Sequence, residues 1–132
     1  MEATPGSAEL IEAAIEAIRT ELLPALNGRA AFQARVVVTV LETARREILL
    51  APAADAAEHA RLRGLLAPHA DGTLDGLRHA LCDAIRDSRL DLDTPGLAEH
   101  LWADVLARVS IDQPAYPSFV REAAPATERT PD

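Results

Sequence analysis

Between Arg29 and Leu50 the chain carries neither Pro nor Gly, and its apolar positions wrap most of the way around a helix. At 3.6 residues per turn, Phe32, Val36, Val37, Val38, Val40, Leu41, Ala44, Ile48 and Leu49 take well over half of the cylinder. Arg35, Thr39, Glu42 and Arg46 form the one narrow polar stripe. The β-branched run from Val36 to Val40 would also suit a buried strand, because such side chains lose χ1 freedom in a helix. Length decides for the helix: compatible sequence continues to Pro52, well past the roughly four to eight residues of a strand. An arc this wide predicts the central, buried helix of an all-α domain, with Val37 and Leu41 nearly inaccessible.

The same period predicts the flanking elements. Ser7 is a good N-cap, Leu10, Ile11, Ala14, Ile15, Ile18 and Leu22 share one face, and Pro24 ends or kinks that helix. Asn27-Gly28 is turn chemistry, which sends the central helix back against the first. Pro52 opens a weaker third helix from about Ala53 to Ala67, and a loop from Pro68 to Gly72 leads to a fourth from Thr73 to Ser88. Thr94-Pro95 pairs an N-cap with Pro at the first helical position and opens a fifth, which buries Leu97, Leu101, Val105, Leu106 and Val109. Beyond Pro114 the sequence reads as an extended segment anchored by Tyr116 and Phe119, then a tail. The expected architecture is a five-helix antiparallel bundle with short connections, one helical domain over 7–119 and a disordered C-terminal tail over 120–132.

Composition narrows the chemistry. A chain of 132 residues supports a single core, and 48% hydrophobic content with only 3% aromatics builds it from Ala, Leu, Val and Ile. That favours close helix packing over a roomy cofactor cavity, so no cofactor is expected. The 13 basic residues are all Arg and are interleaved with 21 acidic ones, for a net charge of −8, which excludes the basic stripe that nucleic acid requires. Arg-only, Ala-rich usage suggests a GC-rich bacterial genome. The single Cys82 allows no internal disulfide, and the first residues lack the basic and apolar regions of a signal peptide. No uncharged apolar run is long enough for a bilayer, so a cytoplasmic location is expected.

Three constellations could carry chemistry. Asp75, His79 and Asp83, with Cys82 beside them, put metal-ligand atom types along one helix face. A zinc site needs three or four converging ligands, usually from more than one element, and His59, His69 and His100 are too dispersed to complete one, so no metal is expected. Asp87-Ser88-Arg89-Leu90 is similar to a phosphopantetheine attachment site, yet Arg89 intervenes and Ser88 closes a helix where a carrier serine opens one. The stripe Arg35, Thr39, Glu42 and Arg46 would hold an anion or acyl ligand if half covered; its plainer reading is a solvated face with an i,i+4 pair between Glu42 and Arg46. There is no Gly-rich phosphate loop, no G-x-S-x-G and no nucleophile with an adjacent His, so no catalytic residue is assigned.

Four segments together, Glu21-Leu22-Leu23-Pro24-Ala25-Leu26, Phe32-Gln33-Ala34-Arg35-Val36, Arg46-Glu47 and Leu81-Cys82-Asp83-Ala84-Ile85-Arg86, resemble a bacterial helical family of unknown function, over about Leu10 to Tyr116. Members tend to carry Asn where Thr39 stands here. Their genes often lie beside aminoglycoside-phosphotransferase-like kinases and acyl-CoA dehydrogenases, so the resemblance implies an accessory role near acyl-CoA metabolism. The expectation is a non-catalytic interaction protein that pairs with itself or with such an enzyme, using Trp102, Tyr116 and Phe119 as aromatic anchors. The alternative is a small-molecule protein, binding an acyl group or CoA, or a minor enzyme of that metabolism.

Overall fold

The structure, a computed structural model, describes residues 3–67 and 72–124. Among these the chain is all-α, with five α-helices and no strand. Helix α1 spans Ser7–Ala17 and continues through a π-helical turn, Ile18–Leu22, and a 3-10 turn, Leu23–Ala25. Helix α2 spans Gly28–Leu65, α3 Leu74–Arg86, α4 Leu97–Asp112 and α5 Pro117–Ala123. The chain divides into two compact units, Met1–Pro52 and Ala53–Asp132, and α2 crosses the boundary.

The helix inventory differs from the expected one in two places. The second and third predicted helices are a single helix, with Pro52 inside it. Proline removes one backbone hydrogen bond and costs about 3 kcal/mol in a helix interior. Here Leu49-Leu50-Ala51 precedes it and Ala53-Ala54-Asp55-Ala56-Ala57 follows, so strong helix formers continue the helix through the defect. The expected extended segment after Pro114 instead holds α5, which starts on Pro117 after Tyr116 as N-cap, the same Pro signal read at Thr94-Pro95. Val120 to Ala123 of the expected tail are thus helical, and residues 125–132 lie outside the described residues.

Helix ends shift for local reasons. Gly6, not Ser7, caps α1, and its N–H donates to Glu9 Oε2 at 2.9 Å. Gly28 takes φ +56°, so the expected turn at Asn27-Gly28 uses glycine's left-handed freedom. Thr73 caps α3 by accepting from the Gly76 N–H at 3.1 Å. Thr94 does not cap α4: its hydroxyl accepts from the Asp91 N–H at 2.9 Å, and the helix begins three residues later, after Gly96.

In the first unit α1 and the first half of α2 pair antiparallel, tied by Glu12 to Arg45 at 3.2 Å and by Arg19 to Glu42. Among the described residues of this unit, only Ile15, Ala31 and Val38 are buried. The expectation for Val37 and Leu41 is overturned: Val37 is 45% exposed and Leu41 half-buried. One neighbouring helix covers one side of α2, and the rest of its apolar arc stays open.

In the second unit α2, α3 and α4 enclose the main core. Leu62, Leu77, Leu81 and Leu97 are buried together, and Leu65, Leu66, Leu74 and Leu90 pack against them. Ala84 is buried on the same row of α3. Helix α3 closes on Ser88 at φ +58°: its N–H donates to Ile85 O and that of Arg89 to Ala84 O, the paired bonds of a Schellman motif.

Candidate functional site

Two features of the second unit bring polar or aromatic side chains together. The first is a buried polar cluster. Glu58 of α2 accepts two bonds from Arg78 of α3, Nε to Oε1 at 2.8 Å and Nη2 to Oε2 at 2.7 Å. Asp55 stands 3.7 Å from the same guanidinium. Glu58 is 5% exposed, and hydrogen bonding from Arg78 holds its carboxyl below the ordinary range although desolvation opposes this. Nearby, Arg61 Nε donates to His100 Nδ1 at 3.0 Å, which places the imidazole proton on Nε2. Burial and then the Arg61 charge push the His100 pKa down, against smaller pulls from Asp104 and Glu58. The cluster satisfies its own charges and ties α2 to α3 and α4.

Glu58, Arg61 and Arg78 have no site role in the sequence reading, and His100 enters it only as a histidine too dispersed to complete a metal site. The signal available was spacing: Glu58 lies four residues before the buried Leu62, and His100 three after the buried Leu97. Beside His100 a depression of about 410 Å³ is lined by Arg61, Gly64, Leu65, Thr94 and Gly96.

The second feature is a groove between α4 and α5, also about 410 Å³, lined mainly by Trp102, Val105, Leu106, Val109, Tyr116 and Phe119. All three expected anchors, Trp102, Tyr116 and Phe119, meet here. Trp102 and Tyr116 are each 53% exposed, so the groove offers apolar area with two polar handles, the indole N–H and the phenol.

The polar stripe of α2 is not gathered into a site. Glu42 is taken by Arg19 of α1, the Thr39 hydroxyl donates to Arg35 O at 3.2 Å, and Arg46 Nη2 donates to the Thr43 hydroxyl at 3.1 Å. Half of the stripe, Glu42 and Arg46, is half-buried, whereas Phe32, Val36, Val37, Val40, Ile48 and Leu49 of the apolar arc are exposed. The row on α3 is likewise occupied locally: His79 Nδ1 lies 2.8 Å from Asp75 O, and Asp83 pairs with Arg86 at 3.1 Å. Among the described residues no three His, Cys, Asp or Glu side chains are grouped to hold a metal ion. His59 contacts Gly72 O at 3.0 Å, and His69 lies outside the described residues. No described helix is long and apolar enough to cross a membrane.

A family model for a domain of unknown function, DUF6285, matches residues 24–116. The chain belongs to the DUF6285 family. Helices α2, α3 and α4 fall inside the matched span, and α1 and α5 outside it. The polar cluster of this DUF6285 protein lies wholly within that span, whereas its aromatic groove combines Trp102 and Tyr116 from inside with Phe119 from outside. No curated protein and no solved structure matches the chain.

Proposed function

We propose that this DUF6285 protein is a non-catalytic helical accessory module that works through protein contact. One observation carries the reading: the apolar arc of α2 in the first unit is exposed, with Phe32 at 59% and Val40 at 61%. Exposed apolar surface of this extent on a helical protein marks a contact surface. The buried titratable groups described in the second unit support it, since Glu58 is engaged with Arg78 and His100 with Arg61. Candidate partners are a second copy, an aminoglycoside-phosphotransferase-like kinase or an acyl-CoA dehydrogenase, acting in a cytoplasmic bacterial setting. Light scattering on the full chain, alone and mixed with each purified enzyme, is the test. Self-association or co-elution is expected; a strict monomer that binds neither enzyme yet turns over an acyl-CoA would overturn the reading.

A second reading rests on the α4–α5 groove, whose volume of about 410 Å³ falls within the roughly 300–1,000 Å³ of small-molecule sites. Its apolar lining suits an acyl chain. Trp102 is the single tryptophan, so its fluorescence reports this groove alone. Saturable quenching by a fatty acyl-CoA, lost in Phe119→Ala, would favour the ligand; an unchanged spectrum would set it aside.

A further inference from the structure

The open face of the first unit has a charge pattern that selects its occupant. Phe32, Val36, Val40, Ala44 and Ile48 advance along one side of α2, and Val36, Val37 and Ile48 are each more than two-fifths exposed. Arg29 precedes this row and Glu47 stands near its end. They are 18 positions apart, about five full turns, so both lie on the same line along the helix. Both are exposed, and neither forms an ion pair with the described residues.

We propose that this face is the interface of a homodimer in which α2 packs antiparallel on α2 of a second copy, Arg29 of each against Glu47 of the other. The proposal rests on the contact reading above and names the partner. A face with one positive and one negative end is self-complementary under a two-fold axis, which is the commonest symmetry of homo-oligomers. The axis falls at the level of Val38, midway between the two charges. In that register Phe32 meets Ala44 and Val36 meets Val40, large against small and medium against medium. A parallel pairing would set Arg29 on Arg29 and Glu47 on Glu47, and like charges facing across an interface are repulsive.

Two helical hairpins joined in this way give the first half of α2 a neighbour on each side, α1 on the row of Ala31 and Val38 and the second copy on the opposite row, so that its apolar arc is closed. The area agrees. Phe32, Val36, Val37, Val40 and Ile48 together present apolar surface on the order of 400 Å², about half of one partner's share. A standard interface buries about 800 Å² per partner including its polar rim. The balanced Arg29 and Glu47 also let two copies of a chain with net charge −8 meet at a locally neutral surface.

The test is sedimentation or light scattering of the full-length chain over micromolar concentrations. A mass twice the 14.1 kDa of the chain is expected. Arg29→Glu and Glu47→Arg should each weaken the dimer by about tenfold or more, and the double variant should recover to within about threefold of the original. Val40→Asp should give a monomer that keeps its helical circular dichroism, because the site is exposed in the single copy. A wild-type monomer throughout that range, or single charge variants that leave dimerisation unchanged or tighten it, would overturn the proposal. In the latter case a dimer broken by Val40→Asp leaves the contact reading standing and removes only the antiparallel register. A wild-type monomer that co-elutes with one of the two enzymes has the same consequence for the pairing and likewise spares the contact reading.

Discussion

The two units use similar helical material and end with opposite interiors. In the second, three helices converge and Leu62 reaches 0% exposure; in the first, two helices bury little beyond Ile15, Ala31 and Val38. The longest apolar arc of the sequence lies in the first unit, so the amount of apolar surface does not decide where the core forms. The number of neighbours does. A single helix shields about one side of its partner, and an arc wider than that is closed only by a second contact.

The largest expected effect sharpens this contrast directly. Leu62→Ala removes a side chain with no exposed surface, and should cost about 2–5 kcal/mol in urea unfolding at every protein concentration. Val36→Ala, 41% exposed in the single chain, should cost less than about 1 kcal/mol in dilute solution and more as concentration rises, if a second copy covers it. Equal losses at the two sites, both independent of concentration, would break the comparison.

What the sequence made legible follows the same line. Periodicity and turn chemistry identified the helical class, a helix starting at Thr73 and the turn at Gly28, because these depend on spacing and local backbone chemistry. Periodicity misplaced the core, since a wide arc on α2 says how much surface wants cover and nothing about which neighbour arrives. Pro52 reads as a boundary in sequence because proline's local cost is visible there, whereas the helix formers on both sides offset it in sum. Trp102, Tyr116 and Phe119 could be named as anchors from residue type, but their meeting in one groove depends on α5, which the Pro-rich composition disguised. The Glu58–Arg78 pair was invisible for another reason: its partners are twenty residues apart on separate helices, and only the fold joins them.

That pair gives the second test of the closed unit. Glu58→Gln keeps the shape and removes the charge that meets the bidentate Arg78. Arg78 is 38% exposed at its side chain and retains Asp55 at 3.7 Å, so water and the second carboxylate soften the loss to about 1–3 kcal/mol. Thermal or urea unfolding measures it. A loss under about half a kcal/mol would mean that the cluster is a bystander and that the leucines alone hold α3.

The smallest expected effect is a pH dependence confined to the second unit. His100 is buried, faces Arg61 at its Nδ1, and has Asp104 and Glu58 as its opposing acidic neighbours; the net result is a pKa below its ordinary 6.5. The unfolded chain therefore binds a proton that the folded chain refuses between 6.5 and the lower folded value. Stability from this group is complete above pH 6.5 and is lost as pH falls through that window, with a slope of at most about 1.4 kcal/mol per pH unit. Glu58 acts in the same direction at lower pH: its folded pKa is also depressed, so its contribution is present above 4.5 and lost as pH falls below that value toward the folded one. Unfolding free energies measured from neutral pH downward should thus decline in two steps. His100→Gln should remove the upper step and leave the lower. Stability that rises as pH falls below 6.5 would show that His100 prefers its charged form in the fold despite its burial and the Arg61 charge.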